Sequence, residues 1–170
     1  FLDVMETGDI AFIEEGGQGH ILAGSGRHVM TIDLDTGRSL IAFGYDEANH
    51  LISVTDRFDN VITVDRDSNN VPIRITSPDG ITTALTVDAN NHLTRITYPD
   101  GSYYGFEYTP EGLMTAKIDP NGNRFEHAFD PMGRLTDVTD DQGGHWHLNK
   151  FSGETGDILS EVFTVSYTHL

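Results

Sequence analysis

Two histidines near the end of the chain stand at a spacing that could hold a metal ion. His145 and His147 are two positions apart, so in a β-strand their side chains share one face. With a carboxylate of Asp140 or Asp141 they would supply nitrogen and oxygen ligands of the kind that Zn²⁺ binds. A protein site needs three or four converging ligands, and the sequence places only two histidines here. We therefore favour a surface pair beside a buried Trp146, and we predict no metal and no cofactor.

Carboxylates could also act in pairs, as in glycosidases, where two of them face each other across about 5–10 Å. An Asp beside Pro, Gly or Asn is more typical of a turn, in which its side chain accepts hydrogen bonds from its own backbone. The candidates, which we expect at turn positions, are Asp100, Asp119, Asp130, Asp140 and Asp141. The chain has no Gly-x-Ser-x-Gly elbow and no cysteine, which leaves no serine-elbow or thiol nucleophile. We predict that the protein is not an enzyme.

A glycine-rich stretch near the beginning could suggest a phosphate cradle at Gly24-Ser25-Gly26. No helix-start pattern follows it, and no Lys stands where a phosphate-binding loop needs one. The density of glycine favours instead an irregular loop over residues 14–28.

The charge balance limits the partners of the protein. Asp and Glu number 27 against 10 Lys and Arg, which gives a net charge of −17. Binding to phosphates needs clustered basic residues, so the composition argues against nucleic acid and against anionic membrane surfaces. No apolar run approaches the roughly 18 residues of a spanning helix, so we predict no membrane insertion. The first residue, Phe1, is not a start methionine, and we expect the chain to be an internal piece of a longer protein.

The elements that must position these residues recur at a fixed period. Turn markers at Asn60, Gly80, Gly101, Gly122 and Gly143 are 20 or 21 residues apart. A second set, at Leu51, Val71, Leu93, Leu113 and Leu135, is interleaved with steps of 20 or 22. Two ladders with a common period of about 21 residues indicate a repeat architecture.

Each repeat contains two turns and therefore two strands. Between the turns lie segments of alternating Val, Ile, Thr and aromatic residues, as expected for β-strands. In register, the aromatic residues form columns that we expect to stack on one face of a sheet; they are Tyr104, Phe106 and Tyr108, then Phe125, His127 and Phe129, then Trp146. The fold prediction is an all-β antiparallel meander of roughly 12 to 14 strands, forming an open, curved, solenoid-like sheet.

The repeat resembles the RHS repeat, also called the YD repeat. Tyr45 to Asp56 and Phe129 to Asp140 carry its aromatic-Asp pair, its turn and its Val-Thr-Asp ending. The resemblance weakens over residues 61–76, where Asp65-Arg66 stands in place of Tyr-Asp, and at Tyr108-Thr109. The residues assigned to the structural repeat are Tyr45, Asp46, Gly80, Gly101, Tyr104, Phe106, Tyr108, Gly122, Phe125, Phe129, Asp130, Gly133, Arg134, Leu135, Gly143 and Trp146.

The resemblance implies a function and an organisation. It implies a segment of a secreted or cell-surface β-shell that encloses or displays a C-terminal toxin domain or another polypeptide, with neighbouring repeats of a longer chain as its immediate partners. We expect an irregular segment with a hairpin at residues 1–28, the repeat array at 29–160, and an irregular or non-native tail at 161–170. The alternative is an extracellular module whose exposed aromatic residues and turns bind carbohydrate or protein, which a glycan array or a pull-down would reveal.

Overall fold

The computed structural model describes residues 2–4 and 9–148, and of residues 2–4 only the backbone. Every regular element of these residues is a β-strand, and none of them lies in a helix. The strands are β1 (Leu2–Val4), β2 (Ile10–Ile13), β3 (Gln18–Leu22), β4 (His28–Asp33), β5 (Ser39–Tyr45), β6 (Leu51–Asp56), β7 (Val61–Arg66), β8 (Pro72–Thr76), β9 (Thr82–Val87), β10 (Leu93–Thr97), β11 (Tyr103–Tyr108), β12 (Met114–Ile118), β13 (Arg124–Phe129), β14 (Leu135–Thr139) and β15 (His145–His147).

The chain packs as two units that divide within β9, between Ala84 and Leu85. The first contains β1 to β8 and the beginning of β9, and the second contains the rest of β9 and β10 to β15. Strands in each unit pair antiparallel with their sequence neighbours, in chain order. The all-β antiparallel meander in an open sheet is therefore confirmed, with 15 strands in the described residues.

All but one of the turns in the described part of the chain share one backbone geometry; the turn at Asp33 is one residue longer, and the N–H of Gly37 donates to the carbonyl of Asp33 at 2.8 Å. In the turn that begins at Asp119, the N–H of Gly122 donates to the carbonyl of Asp119 at 3.0 Å, and the N–H of Asp119 donates to the carbonyl of Asn123 at 3.0 Å. The fourth residue must then adopt a positive φ, which is +85° at Gly122. Glycine reaches this region without steric cost, and Asn and Asp tolerate it better than other residues do.

The positive-φ residues give the period of the fold directly. From residue 49 onward they are separated alternately by 10 and 11 residues, and each of the two interleaved sets repeats every 21 residues. The members are Asn49, Asp59, Asn70, Gly80, Asn91, Gly101, Gly112, Gly122, Gly133 and Gly143. One predicted marker was wrong by one position. Asp59, not Asn60, adopts the positive φ, because the turn begins at Asp56, and Asn60 pairs with the Asp56 carboxylate instead.

From β5 onward two kinds of hairpin alternate, whereas the earlier hairpins β3–β4 and β4–β5 both carry a bulge. In one kind the strands pair without interruption, as where Ile118 lies opposite Arg124. In the other kind a β-bulge follows the turn, as where Tyr108 lies opposite Met114 while Glu107 lies opposite Ala116. Equivalent bulges occur between β5 and β6, β7 and β8, and β13 and β14. Each 21-residue repeat therefore consists of one plain hairpin and one bulged hairpin.

Side chains in this sheet are half-buried rather than enclosed. Apart from three glycines, only Ala11, Ala116 and Thr31 are buried among the described residues, and no large side chain there is fully buried. Burial alternates along β9 and β13, as the sequence predicts, and in β13 the half-buried residues are Phe125, His127 and Phe129.

The prediction of an irregular loop at residues 14–28 was wrong, because β3 lies within it. Gly16 and Gly17 form a tight turn, in which the N–H of Gly17 donates to the carbonyl of Glu14. Gly19 lies inside β3, where a Cβ atom would approach the Leu34 side chain to 3.0 Å. This glycine leaves room for neighbouring apolar side chains and does not break the strand.

Candidate functional site

The tyrosine of the Tyr-Asp pair joins one repeat to the preceding one. The hydroxyl of Tyr108 donates to the carbonyl oxygen of Leu93 at 2.8 Å, and the hydroxyl of Tyr45 donates to that of His28 at 2.8 Å. The two acceptors, Leu93 and His28, each lie five residues after the first residue of an earlier turn. Arg66 occupies the equivalent position, and its Nη2 donates to the carbonyl of Leu51 at 3.4 Å.

This equivalence corrects the sequence alignment of the weakest repeat. The pair that replaces Tyr-Asp is Arg66-Asp67 rather than Asp65-Arg66, since Asp67 begins the turn and Asn70 takes the positive φ. Arg66 replaces the tyrosine hydroxyl as a donor to a backbone carbonyl, which the sequence pattern alone did not reveal.

The aspartate of the pair supports the turn that follows it. Oδ1 of Asp130 accepts hydrogen bonds from the N–H groups of Met132 at 2.9 Å and Arg134 at 3.0 Å. Asp119 does the same in a plain hairpin, accepting from Asn121 at 2.8 Å and Asn123 at 3.0 Å. The carboxylate thus satisfies backbone donors that the turn leaves without a strand partner.

These hydrogen bonds favour the ionised form of the turn carboxylates. The backbone hydrogen bond from Arg134, and then that from its side chain, lower the pKa of Asp130. Hydrogen bonds from the N–H groups of His50 and His92 likewise lower the pKa values of Asp46 and Asp88. At Asp119 desolvation acts to raise the pKa, but the hydrogen bonds from Asn123 outweigh it, and the pKa is lowered.

The five carboxylates considered for glycosidase chemistry all lie in turns, but not in one equivalent position. Asp119, Asp130 and Asp140 each begin a turn. Asp100 is the third residue of its turn, and its Oδ1 accepts hydrogen bonds from the N–H and hydroxyl of Ser102 at 2.9 and 2.7 Å. Asp141 follows Asp140 and accepts from the Gln142 side chain at 2.8 Å. Each carboxylate contacts residues of its own turn.

The histidine pair at the last described strand shares one face, and the carboxylate that it contacts is neither Asp140 nor Asp141. Nε2 of His145 and Nδ1 of His147 lie 3.0 and 2.6 Å from the same oxygen of Asp137. The reason is the strand register, since Asp137 on β14 lies directly opposite His147. The hydrogen bond with His147, and next the hydroxyl of Thr136, lower the pKa of Asp137. Asp140 instead accepts backbone hydrogen bonds in its turn. In the described ranges, no cluster of three or more His, Cys, Asp or Glu could hold a metal ion.

The remaining predicted histidines belong to the repeat. His50 and His92 occupy the same turn position, and their Nδ1 atoms lie 3.0 and 3.5 Å from the turn carboxylates of Asp46 and Asp88. The ring of His92 also stacks on Tyr108 at 4.8 Å. His127 lies in the aromatic column, and its Nδ1 is buried without a hydrogen-bond partner in the described structure.

A further polar network, which the sequence did not suggest, lies in the first unit. The hydroxyl of the buried Thr31 is 3.0 Å from Nε2 of His28 and 3.3 Å from Nδ1 of His20. Nε2 of His20 lies 3.3 Å from Glu14, although the angle does not make a hydrogen bond. Since Thr31 is only 4 % exposed, its hydroxyl is not open to a substrate, and the network serves to satisfy buried polar groups.

The face of the second unit that lies opposite the aromatic column carries paired charges. Arg124 on β13 donates hydrogen bonds to both carboxylate oxygens of Glu107, each at 2.7 Å, and to one carboxylate oxygen of Glu126 at 2.9 Å. The pKa of Glu107 is lowered chiefly by its hydrogen bonds with Arg124. A shallow groove of about 480 Å³ adjoins this cluster, between the turns at residues 119–123 and 140–144, and Asn123, Asp141 and Gln142 contribute to its lining.

No helix in the described part of the chain is long and apolar enough to cross a membrane.

Comparison with known proteins identifies relatives of this repeat. The family model of the teneurin YD-shell matches residues 20–165. Teneurin-3 of Mus musculus is 38 % identical over 63 residues, which are 37 % of this chain and 2 % of that protein. Teneurin-3 of Danio rerio is 34 % identical over 68 residues, 40 % of this chain and 2 % of the relative. The matched residues thus span about a fiftieth of the length of these relatives.

The chain also aligns with solved structures of toxin complexes. The TcdB2-TccC3-Cdc42 crystal structure aligns with 89 % of this chain at 11 % identity and a TM-score of 0.49, over 10 % of the solved chain. The Photorhabdus luminescens Tc holotoxin pore carrying TccC3-D651A aligns with 89 % at 12 % identity and a TM-score of 0.44, again over 10 %.

Proposed function

Because this chain belongs to the teneurin YD-shell family, we propose that its sheet encloses or displays another polypeptide, such as a C-terminal toxin domain. The chain is a structural segment built of RHS/YD repeats. The observation that carries the proposal is the 21-residue period from residue 49 onward, with plain and bulged hairpins in which Tyr108 contacts the preceding repeat and Asp130 contacts its own turn. Such an array serves as an extended wall.

Three further parts of the proposal follow from this one. We place the protein outside the cell, either secreted or on the cell surface, because a protein that displays or delivers another polypeptide acts there. We assign it no catalytic role, since the carboxylates that could do chemistry serve the turns. The net charge of −17 favours protein partners over nucleic acid.

Limited proteolysis of the longest natural chain that contains this segment tests the proposal. If the sheet encloses a polypeptide, that polypeptide should resist protease in the wild type and become cleavable when the wall is disrupted by Phe106→Asp. Phe58→Asp is the matched control, because Phe58 lies in a turn with 68 % of its surface exposed. Equal cleavage in the wild type and the Phe106→Asp variant would refute enclosure.

The second candidate, a carbohydrate-binding module, rests on the groove of about 480 Å³ beside Arg124. Amide, carboxylate and guanidinium groups of this kind can form hydrogen bonds with sugar hydroxyls. A glycan array with the 170-residue chain tests it. Binding that Asn123→Ala and Gln142→Ala abolish would favour this candidate, whereas an array without signal would leave the wall as the function.

A further inference from the structure

The aromatic face of the second unit has no covering layer in the described structure. We use this name for the face formed by Tyr104, Phe106, Phe125 and Phe129, with Lys117 between them. Lys117 on β12 lies opposite Phe106 of β11 on one side and Phe125 of β13 on the other, so all three share the face. All of the described strands in this unit belong to one sheet. All four rings are half-buried.

Lys117 is the exceptional residue on this face. It is the one lysine within residues 9–148 of a chain that carries 27 carboxylates. Its ammonium group lies 5.0 Å from the centroid of the Tyr104 ring, a cation–π contact. It makes no ion pair with any described residue. Among the described arginines, Arg74, Arg124 and Arg134 contact a carboxylate, and the other five form no ion pair with a described residue either. A cation without a carboxylate partner therefore stands within an aromatic surface.

The chemistry of this surface determines what can cover it. Apolar side chains would gain by contact with the four rings. Covering Lys117 would at the same time remove water from its ammonium group, and a desolvated cation is costly unless it is paired and hydrogen-bonded. The covering group must therefore be apolar around an anionic acceptor. An open sheet face also offers a flat strip along the strands rather than the enclosed cavity that usually holds a small apolar ligand.

We propose that the aromatic face docks an apolar polypeptide segment whose single carboxylate pairs with Lys117. This inference rests on the proposed function, in that the sheet contacts another polypeptide, and it specifies the chemistry of the part that is contacted. The carboxylate sets the position of the segment along the face, while the apolar side chains on either side of it supply most of the contact.

Fluorescence anisotropy with labelled peptides tests this on the 170-residue chain. The probes are a short apolar peptide with one central Glu and two matched peptides with Gln or Lys at that place. The Glu peptide should bind about tenfold more tightly than the Gln peptide, the factor expected for one charge-assisted contact. In Lys117→Met the preference for Glu over Gln should vanish, and in Lys117→Glu the Lys peptide should bind best.

Arg95→Met provides the control on the other face, where Arg95 stacks on Tyr103 at 3.9 Å. It should leave the preference for Glu unchanged. Equal binding of the Glu and Gln peptides to the wild type, no binding of any peptide, or loss of the preference in Arg95→Met would overturn the proposal. So would binding of laurate in the absence of peptide binding, since the occupant would then be a lipid. Such failures with proteolytic shielding intact reject this docking mode alone, whereas loss of shielding rejects the proposed function.

Discussion

Replacing Tyr108 with Phe removes a single hydroxyl and tests whether the tyrosine of the Tyr-Asp pair joins successive repeats. The hydroxyl donates to the Leu93 carbonyl at 2.8 Å, and the ring, stacked on His92, stays in place without it. A neutral, half-buried hydrogen bond of this length contributes about 1 kcal/mol to stability. For a chain of this size that corresponds to a fall in melting temperature of roughly 2–4 °C. Melting followed by far-ultraviolet circular dichroism measures it.

Tyr103→Phe is the matched control for this prediction. Tyr103 lies on the same strand, but its hydroxyl makes no hydrogen bond with any described residue, so the melting temperature should not change. The reverse change is informative as well. Phe129 occupies the place of Tyr108 one repeat later, and a hydroxyl there would point to the Met114 carbonyl, so Phe129→Tyr should raise the melting temperature. Equal effects of Tyr108→Phe and Tyr103→Phe would refute the assigned role.

Three further predictions concern the turns and the aromatic face. A Cβ atom at Gly112 would approach Nε2 of His92 to 2.9 Å, whereas a Cβ atom at Gly122 would meet open space. Both glycines have a positive φ, so Gly122→Ala should destabilise by roughly 1–2 kcal/mol and Gly112→Ala by more. The additional loss at Gly112 should disappear when His92→Ala is combined with Gly112→Ala. Folding lowers the pKa values of Asp46, Asp88 and Asp130, so the stability that these carboxylates contribute should be complete above about pH 5 and should fall as the pH drops below about 4. Urea unfolding at several pH values should show a smaller loss of stability at low pH in Asp130→Asn than in the wild type. An unchanged pH profile in that variant would contradict the turn role. Phe106→Ala should cost about 2 kcal/mol, less than the 3–5 kcal/mol of a fully enclosed ring, because Phe106 is only half-buried; a change below about 0.5 kcal/mol in chemical denaturation would show that its face is wrongly assigned.

The period, the strands and their faces were accessible from the sequence because they depend on local rules. Glycine or Asn marks most positive-φ positions, and alternation along Arg124–Phe129 identifies the half-buried side. The ladder was misread at Asp59, since Asp and Asn both tolerate positive φ and composition does not distinguish neighbouring candidates. The same limit hid the equivalence of Arg66-Asp67 with Tyr-Asp, because a guanidinium replaced a phenol as the donor to a carbonyl.

Contacts between strands could not be predicted in the same way, because they depend on register. A β-bulge in every second hairpin shifts the pairing by one residue, and the sequence shows no insertion where it occurs. The register also sets the partner of His145 and His147, which is Asp137 across the strand pair rather than the nearer-in-sequence Asp140. Gly19 was assigned to a loop, because its need for space arises from Leu34, which follows the next strand directly and is distant in sequence.

Excision of one period tests the repeat wall most directly. Removing residues 102–122 joins Gly101 to Asn123, so the plain turn is restored and Ile96 meets Phe125 in place of Tyr104. Removing only residues 102–112 joins a plain turn to the strand that should follow a bulged one, and it reverses the direction of every later strand. Thermal melting of both variants by circular dichroism is the measurement. We predict a cooperative β-sheet transition for the 21-residue deletion and its loss for the 11-residue deletion. Unfolding of the first variant, or equal melting of the two, would contradict the account.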